Sequence, residues 1–123
     1  MLDPKLLDQI IDVAAVAAYK SSLFKGKGDK NAADQAAVDA MRTQLNSMRI
    51  NGKVVIGEGE MDEAPMLYIG ETLGKSDHPK IDIAVDPLDG TTLAANNQPN
   101  AISVISISEE GMLLHAPDTY MDK

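Results

Sequence analysis

Cysteine is absent, which excludes disulfides, thiolate nucleophiles and thiolate metal sites and suits a reducing, cytoplasmic setting. Tryptophan is absent too, and one Phe and three Tyr are the whole aromatic complement. The core must therefore be aliphatic, filled by Ala, Val, Leu, Ile and the seven Met. Basic residues are few: 11 Lys and Arg against 19 Asp and Glu leave a formal net charge of −8. That balance speaks against nucleic acid or an anionic membrane as partner, because phosphate backbones and acidic lipids bind basic surfaces. A phosphorylated small molecule remains compatible where cations offset the carboxylates. No apolar run approaches a membrane span, and the first nine residues lack the basic-then-apolar order of a secretory signal. The 123 residues amount to one domain.

What is present is organised around residues 81–92, Ile-Asp-Ile-Ala-Val-Asp-Pro-Leu-Asp-Gly-Thr-Thr. Ile81, Ile83 and Val85 alternate with smaller or polar neighbours, the period of a strand, and Pro87 is expected to end it by removing a ladder donor. Asp86 and Asp89 then lie just past the strand, in a turn where both carboxylates can approach one point. Hard oxygen ligands so placed suit Mg²⁺ or Mn²⁺. Gly90, Thr91 and Thr92 can open a short helix whose free N–H groups suit an anion. By itself the hexapeptide Asp-Pro-Leu-Asp-Gly-Thr is also an ordinary turn, so the other acids decide its reading.

Helical spacing of Leu6, Ile10, Val13 and Ala17 predicts a helix over 4–23. A glycine- and lysine-rich loop over 25–30 follows, with Lys30 its best candidate for a phosphate contact. A second helix is predicted over 31–48, with Asp34 in its first turn as a complement to the helix dipole. Asn51-Gly52 reads as a turn and 54–56 as a short buried strand. Directly after it come Glu58, Glu60, Asp62, Glu63 and Glu71, with glycines on both sides of Glu58. A short helix is expected over 64–73, ended by Gly74, and His78 in the polar loop beyond receives no role. Residues 101–108 read as a strand, bulged near Ile105 to Ile107, with a turn at Glu109-Glu110-Gly111 and a return strand over 112–115. The expected class is α+β, two helices layered on a sheet.

Asp34, Glu58, Asp86 and Asp89 thus share a kind of place, a helix start or the carboxyl end of a strand. Four convergent carboxylates repel unless metal ions neutralise them, and the outline is that of a two-metal hydrolase with ions about 3.5 to 4 Å apart. Thr91 would orient the attacking water, with Asp62 or Glu60 accepting its proton.

These residues stand in blocks that resemble a known family. Gly-Asp-Lys-Asn at 28–31, Val54-Val-Ile-Gly-Glu-Gly-Glu60, Asp62-Glu-Ala-Pro-Met-Leu-Tyr-Ile-Gly-Glu71, Asp82-Ile-Ala-Val-Asp-Pro87 and Ala116-Pro-Asp-Thr-Tyr-Met121 are similar to the N-terminal part of class II (GlpX-type) fructose-1,6-bisphosphatases, within the inositol monophosphatase superfamily. The resemblance implies the N-terminal half of a layered sugar-phosphatase fold, with residues 1–123 the metal-binding portion of a longer chain. It also implies Mn²⁺ or Mg²⁺ held by Asp34 and Glu58 at one position and by Asp86 and Asp89 at the other. Thr91 and Asp62 would be catalytic, and Asp89, Gly90, Thr91, Tyr120 and Lys30 would meet the substrate. The implied reaction removes the 1-phosphate of fructose 1,6-bisphosphate, a step of gluconeogenesis, in a cytoplasmic enzyme that is a homo-oligomer at full length. Two departures stand out: the family usually carries Glu at the position of Asp89, and residues 92–100 differ from its usual wording. Related phosphatases acting on sedoheptulose 1,7-bisphosphate or inositol phosphates, and an inactive metal-binding module, are the competing readings.

Overall fold

The computed structural model describes residues 1–64, 66–117, 119, 121 and 122. Its elements are α1 (Pro4–Ser22), α2 (Lys30–Ser47), β1 (Asn51–Ile56), β2 (Thr72–Leu73), β3 (Lys80–Asp89), α3 (Thr91–Ala95) and β4 (Ile102–Glu109). The chain is α+β, as expected. Helix α1 starts where the Asp3 carboxylate accepts from the Lys5 N–H at 2.9 Å, with Pro4 in the first turn where its missing donor costs nothing. Its buried face is Leu6, Ile10, Val13 and Ala17, the stripe the spacing predicts. Helix α2 is capped by Asp29, whose carboxylate accepts from the Ala32 N–H at 3.0 Å, and buries Ala33, Ala37, Met41 and Leu45. Because α2 begins at Lys30, Asp34 falls in its second turn and not its first. The dipole role assigned to Asp34 weakens accordingly, since that effect fades beyond the terminal turn.

The sheet has the order β2-β1-β3-β4. Strands β1 and β3 run parallel, while β2 on β1 and β4 on β3 are antiparallel. Val54, Ile81, Ile83 and Val85 point into one apolar cluster with the helix faces. The opposite face carries Ala84 and Asp86 of β3 beside Val104 and Ser106 of β4, and it is largely open.

Several boundaries differ from the sequence reading. Strand β3 does not stop at Pro87 but runs to Asp89. Pairing with β1 has already ended at Ile56 and Ala84, so Pro87 interrupts no ladder on that side, and a register shift between Asp86 and Asp89 absorbs it on the β4 side. That shift is the bulge; β4 itself stays in register from Glu109 to Val104, and its adjacent Val104 and Ile105 belong to opposite faces, each of which carries apolar residues. Asn51 and Gly52 are not a turn but the first residues of β1.

No helix forms over 64–73 among the described residues. The backbone there is bonded to the β1 strand and the turn after it: Leu67 C=O accepts from the Glu58 N–H at 2.9 Å, the Gly70 N–H donates to Val54 C=O at 2.8 Å, and Val54 N–H donates to Glu71 C=O at 2.9 Å. Leu67 has a left-handed φ of 54°, incompatible with a helix interior. The turn at Glu109-Glu110-Gly111 forms, with Met112 N–H donating to Glu109 C=O at 3.1 Å, but no return strand follows over 112–115. The Asp82 carboxylate captures the turn instead, accepting from the Gly111 N–H at 2.9 Å, and the chain leaves the sheet.

Candidate metal centre

Parallel pairing decides which acids become neighbours. Ile56 of β1 stands opposite Ala84 of β3, so Glu58 and Asp86, each two residues further on, lie at the same end of adjacent parallel strands. Helix α2 brings the third carboxylate, since Asp34 and Glu58 line one depression together with Gln35, Val38, Glu63, Ala64 and Met66. Burial pushes the Asp34 carboxyl above the ordinary carboxylate range, because a charge there is deprived of water. At Gly57 a Cβ would overlap the Leu67 carbonyl oxygen, so only glycine lets the 58–71 loop close onto the strand end that carries Glu58.

Asp89 ends β3 and is exposed, and Gly90 follows with φ 91°, turning the chain into α3. Thr91 is the first residue of α3 and is half-buried. The loop before α2 is tied to this short helix, the Gly26 N–H donating to Ala94 C=O at 3.0 Å and the Gly28 N–H to Ala95 C=O at 2.9 Å. Lys30 is exposed at the start of α2, two residues after Gly28. Glu60 and Asp62 sit on an exposed turn, whose shape is set by the Glu63 and Ala64 N–H groups donating to Glu60 C=O at 2.9 Å each. Tyr120 lies outside the described residues.

The arrangement therefore joins Asp34 to Glu58 in one depression and aligns Glu58 with Asp86. Among the described residues it does not draw three acidic or histidine side chains close enough to hold one metal ion. The donor chemistry fits a hard divalent cation all the same: the candidates are carboxylates, and Asp34 holds its charge at a desolvation cost that a cation would offset.

Two buried acids were missed by sequence reasoning as structural parts. Glu71 accepts from Arg42 Nε at 3.0 Å and from the Leu67 N–H at 3.2 Å. Asp82 holds the Gly111 turn, with His115 Nε2 at 3.9 Å. Asp82 sits between Ile81 and Ile83 and so reads as the solvent side of a strand. The folded-back turn covers it, between Lys53 of β1 and Ser108 of β4.

A two-helix layer over a mixed sheet, with acids gathered at the carboxyl ends of its parallel pair, defines the class: an α+β chain with a carboxylate-based candidate metal centre. The chain belongs to the bacterial, glpX-encoded fructose-1,6-bisphosphatase family, whose model matches residues 4–123. It is 53% identical over 127 residues to a D-fructose 1,6-bisphosphatase class 2/sedoheptulose 1,7-bisphosphatase of Thermosynechococcus vestitus, covering 94% of this chain and 37% of that one. Over 115 residues it is 52% identical to fructose-1,6-bisphosphatase 1 class 2 of Escherichia coli, covering 94% of this chain and 33% of the relative. The chain thus spans about a third of the length of the curated relatives it matches. Among solved structures, an extragenic suppressor from Pyrococcus furiosus shares the fold with a TM-score of 0.54 at 16% identity, over 85% of this chain and 40% of the other.

Proposed function

We propose that this chain supplies the metal-binding part of an enzyme that removes the 1-phosphate of fructose 1,6-bisphosphate, giving fructose 6-phosphate and phosphate. The observation that carries the reading is the placement of Glu58 and Asp86 at one end of adjacent parallel strands, with Asp34 beside Glu58. Asp34 and Glu58 would hold one Mn²⁺ or Mg²⁺, and Asp86 and Asp89 the other. Bound ions would polarise the phosphoryl oxygens and offset charge in the transition state. Thr91 orients the attacking water through its hydroxyl, and the carboxylate of Asp62, or of Glu60 on the same turn, takes the water proton. As the new phosphorus–oxygen bond forms, the bond from phosphorus to the C1 oxygen breaks and that oxygen takes a proton from solvent. Gly90, Lys30 and Tyr120 would contact substrate. The cytoplasmic setting, the gluconeogenic role and a homo-oligomeric full-length enzyme belong to the same proposal. Sedoheptulose 1,7-bisphosphate is a second substrate to weigh, because relatives at 53% and 48% identity carry both activities in their names.

The test is a chimaera in which this chain replaces the corresponding third of the Escherichia coli relative. With Mn²⁺ it should release phosphate from fructose 1,6-bisphosphate, and Asp86→Ala should lower that rate by more than about a hundredfold. A folded chimaera that works equally well with Asp86→Ala would refute the assignment. Turnover of inositol phosphate but not the sugar bisphosphate would move the chain to another branch of the superfamily.

A further inference from the structure

The turns of α2 that face the 57–74 segment carry a row of side chains at four-residue spacing: Asp34, Val38, Arg42 and Asn46. Residues so spaced lie along one side of a helix. Each end of the row is engaged. Asp34 and Val38 share the depression with Glu58, Arg42 Nε donates to the Glu71 carboxylate at 3.0 Å, and Asn46 Oδ1 accepts from the Gly74 N–H at 3.2 Å. The segment that carries Glu58 is thus laid along α2 and anchored at its far end by a buried acid.

Glu71 is only 5% exposed, a state that costs a carboxylate dearly without charged or hydrogen-bonding partners. Its Oε1 has both: the Arg42 guanidinium and the Leu67 N–H. Leu67 in turn is fully buried, is held with a left-handed φ of 54°, and accepts the Glu58 N–H through its carbonyl at 2.9 Å. An unbroken path of hydrogen bonds therefore runs from Arg42 through Glu71 and Leu67 to the backbone of Glu58. Glu71 thus fixes the N–H of Leu67, and the carbonyl of the same residue fixes the Glu58 N–H.

We infer that Glu71, paired with Arg42, is a positioning residue that sets the Glu58 carboxylate by holding Leu67 in place. The inference rests on the reading of Glu58 as a metal ligand. Positioning groups behind a ligand are worth about ten- to a hundredfold in metal affinity.

The experiment uses the 123-residue chain with Glu71→Leu, which leaves no acceptor for the Leu67 N–H, and Arg42→Met, which removes the charge paired with Glu71. Amide hydrogen exchange is read at Glu58 and, for reference, at Ile83 and Val85 of β3, alongside Mn²⁺ binding by calorimetry. Glu71→Leu is expected to speed exchange at Glu58 at least about tenfold relative to Ile83 and to weaken Mn²⁺ binding about tenfold. A merely structural role would speed all three amides together. Adding Glu71→Leu to Glu58→Gln should weaken Mn²⁺ no further than Glu58→Gln alone, because both act on one carboxylate. Unchanged relative exchange at Glu58 in Glu71→Leu, or losses in Mn²⁺ affinity that simply multiply, would overturn the inference. Should Glu58→Gln bind Mn²⁺ as the parent does, the ligand reading fails by itself, and the exchange ratio still judges whether Glu71 holds Leu67. If Glu71→Leu does not fold, Arg42→Met decides.

Discussion

At the scale of single residues, Asp34 shows how a candidate ligand can be recognised by its cost. Burial raises its carboxyl above the ordinary range, so the folded chain binds a proton there more readily than the unfolded one. The contribution of this group to stability is therefore fully present below the unfolded pKa of about 3.9 and is lost as pH rises through the higher folded value. Asp34→Asn removes the charge but keeps the shape. In a chelator-containing buffer the variant should be more stable than the parent at pH 7, and the advantage should shrink towards about pH 4 as the raised carboxyl takes up its proton. Urea denaturation at both pH values checks this; a variant less stable than the parent at pH 7 would show that Asp34 is held by partners that favour its charge. The same substitution should weaken Mn²⁺ binding by more than about tenfold.

At the scale of elements, the parts legible in the sequence are those whose periodicity agrees with their burial. Leu6, Ile10, Val13 and Ala17 announce α1 because nothing but the helix repeat puts them on one face. Glu58 and Asp86 announce themselves because each follows a short apolar run, but their adjacency does not, since it depends on β1 and β3 being parallel neighbours. Residues 64–73 misled for a definite reason: the helix-compatible run has its backbone donors and acceptors taken by β1 and the turn after it, and Leu67 is forced into a left-handed conformation. Glu71 was illegible as a buried acid because its charge partner, Arg42, lies 29 residues away. The sheet built from these strands is one-sided, which makes a contrast to test. Ile83 is 0% exposed under the helices, so Ile83→Ala should cost about 2–5 kcal/mol. Val104, 42% exposed on the open face of β4, should tolerate Val104→Ser within about 0.5 kcal/mol. Comparable losses measured by denaturant unfolding would mean that the open face is covered in solution.

At the scale of the whole molecule, the net charge of −8 and the gathering of carboxylates at one end of the sheet are separate facts with separable consequences. A surplus of negative charge destabilises any compact chain a little, and salt relieves it by screening, whichever cation supplies it. Cations held by Asp34 with Glu58 and by Asp86 with Asp89 would do something else: they would bind the folded chain and not the unfolded one, and so stabilise by mass action. At free Mn²⁺ about a hundredfold above its dissociation constant the gain is about 2.7 kcal/mol. For a chain of this size that corresponds to a rise in Tm of about 10 °C. Sodium chloride at matched ionic strength should give a small fraction of that rise, and Asp86→Ala, compared with the same variant in chelator, should lose much of it. An equal rise from sodium chloride, or an undiminished one in Asp86→Ala, would mean that Mn²⁺ acts on the diffuse charge of the whole surface and that the strand-end carboxylates of this chain form no site.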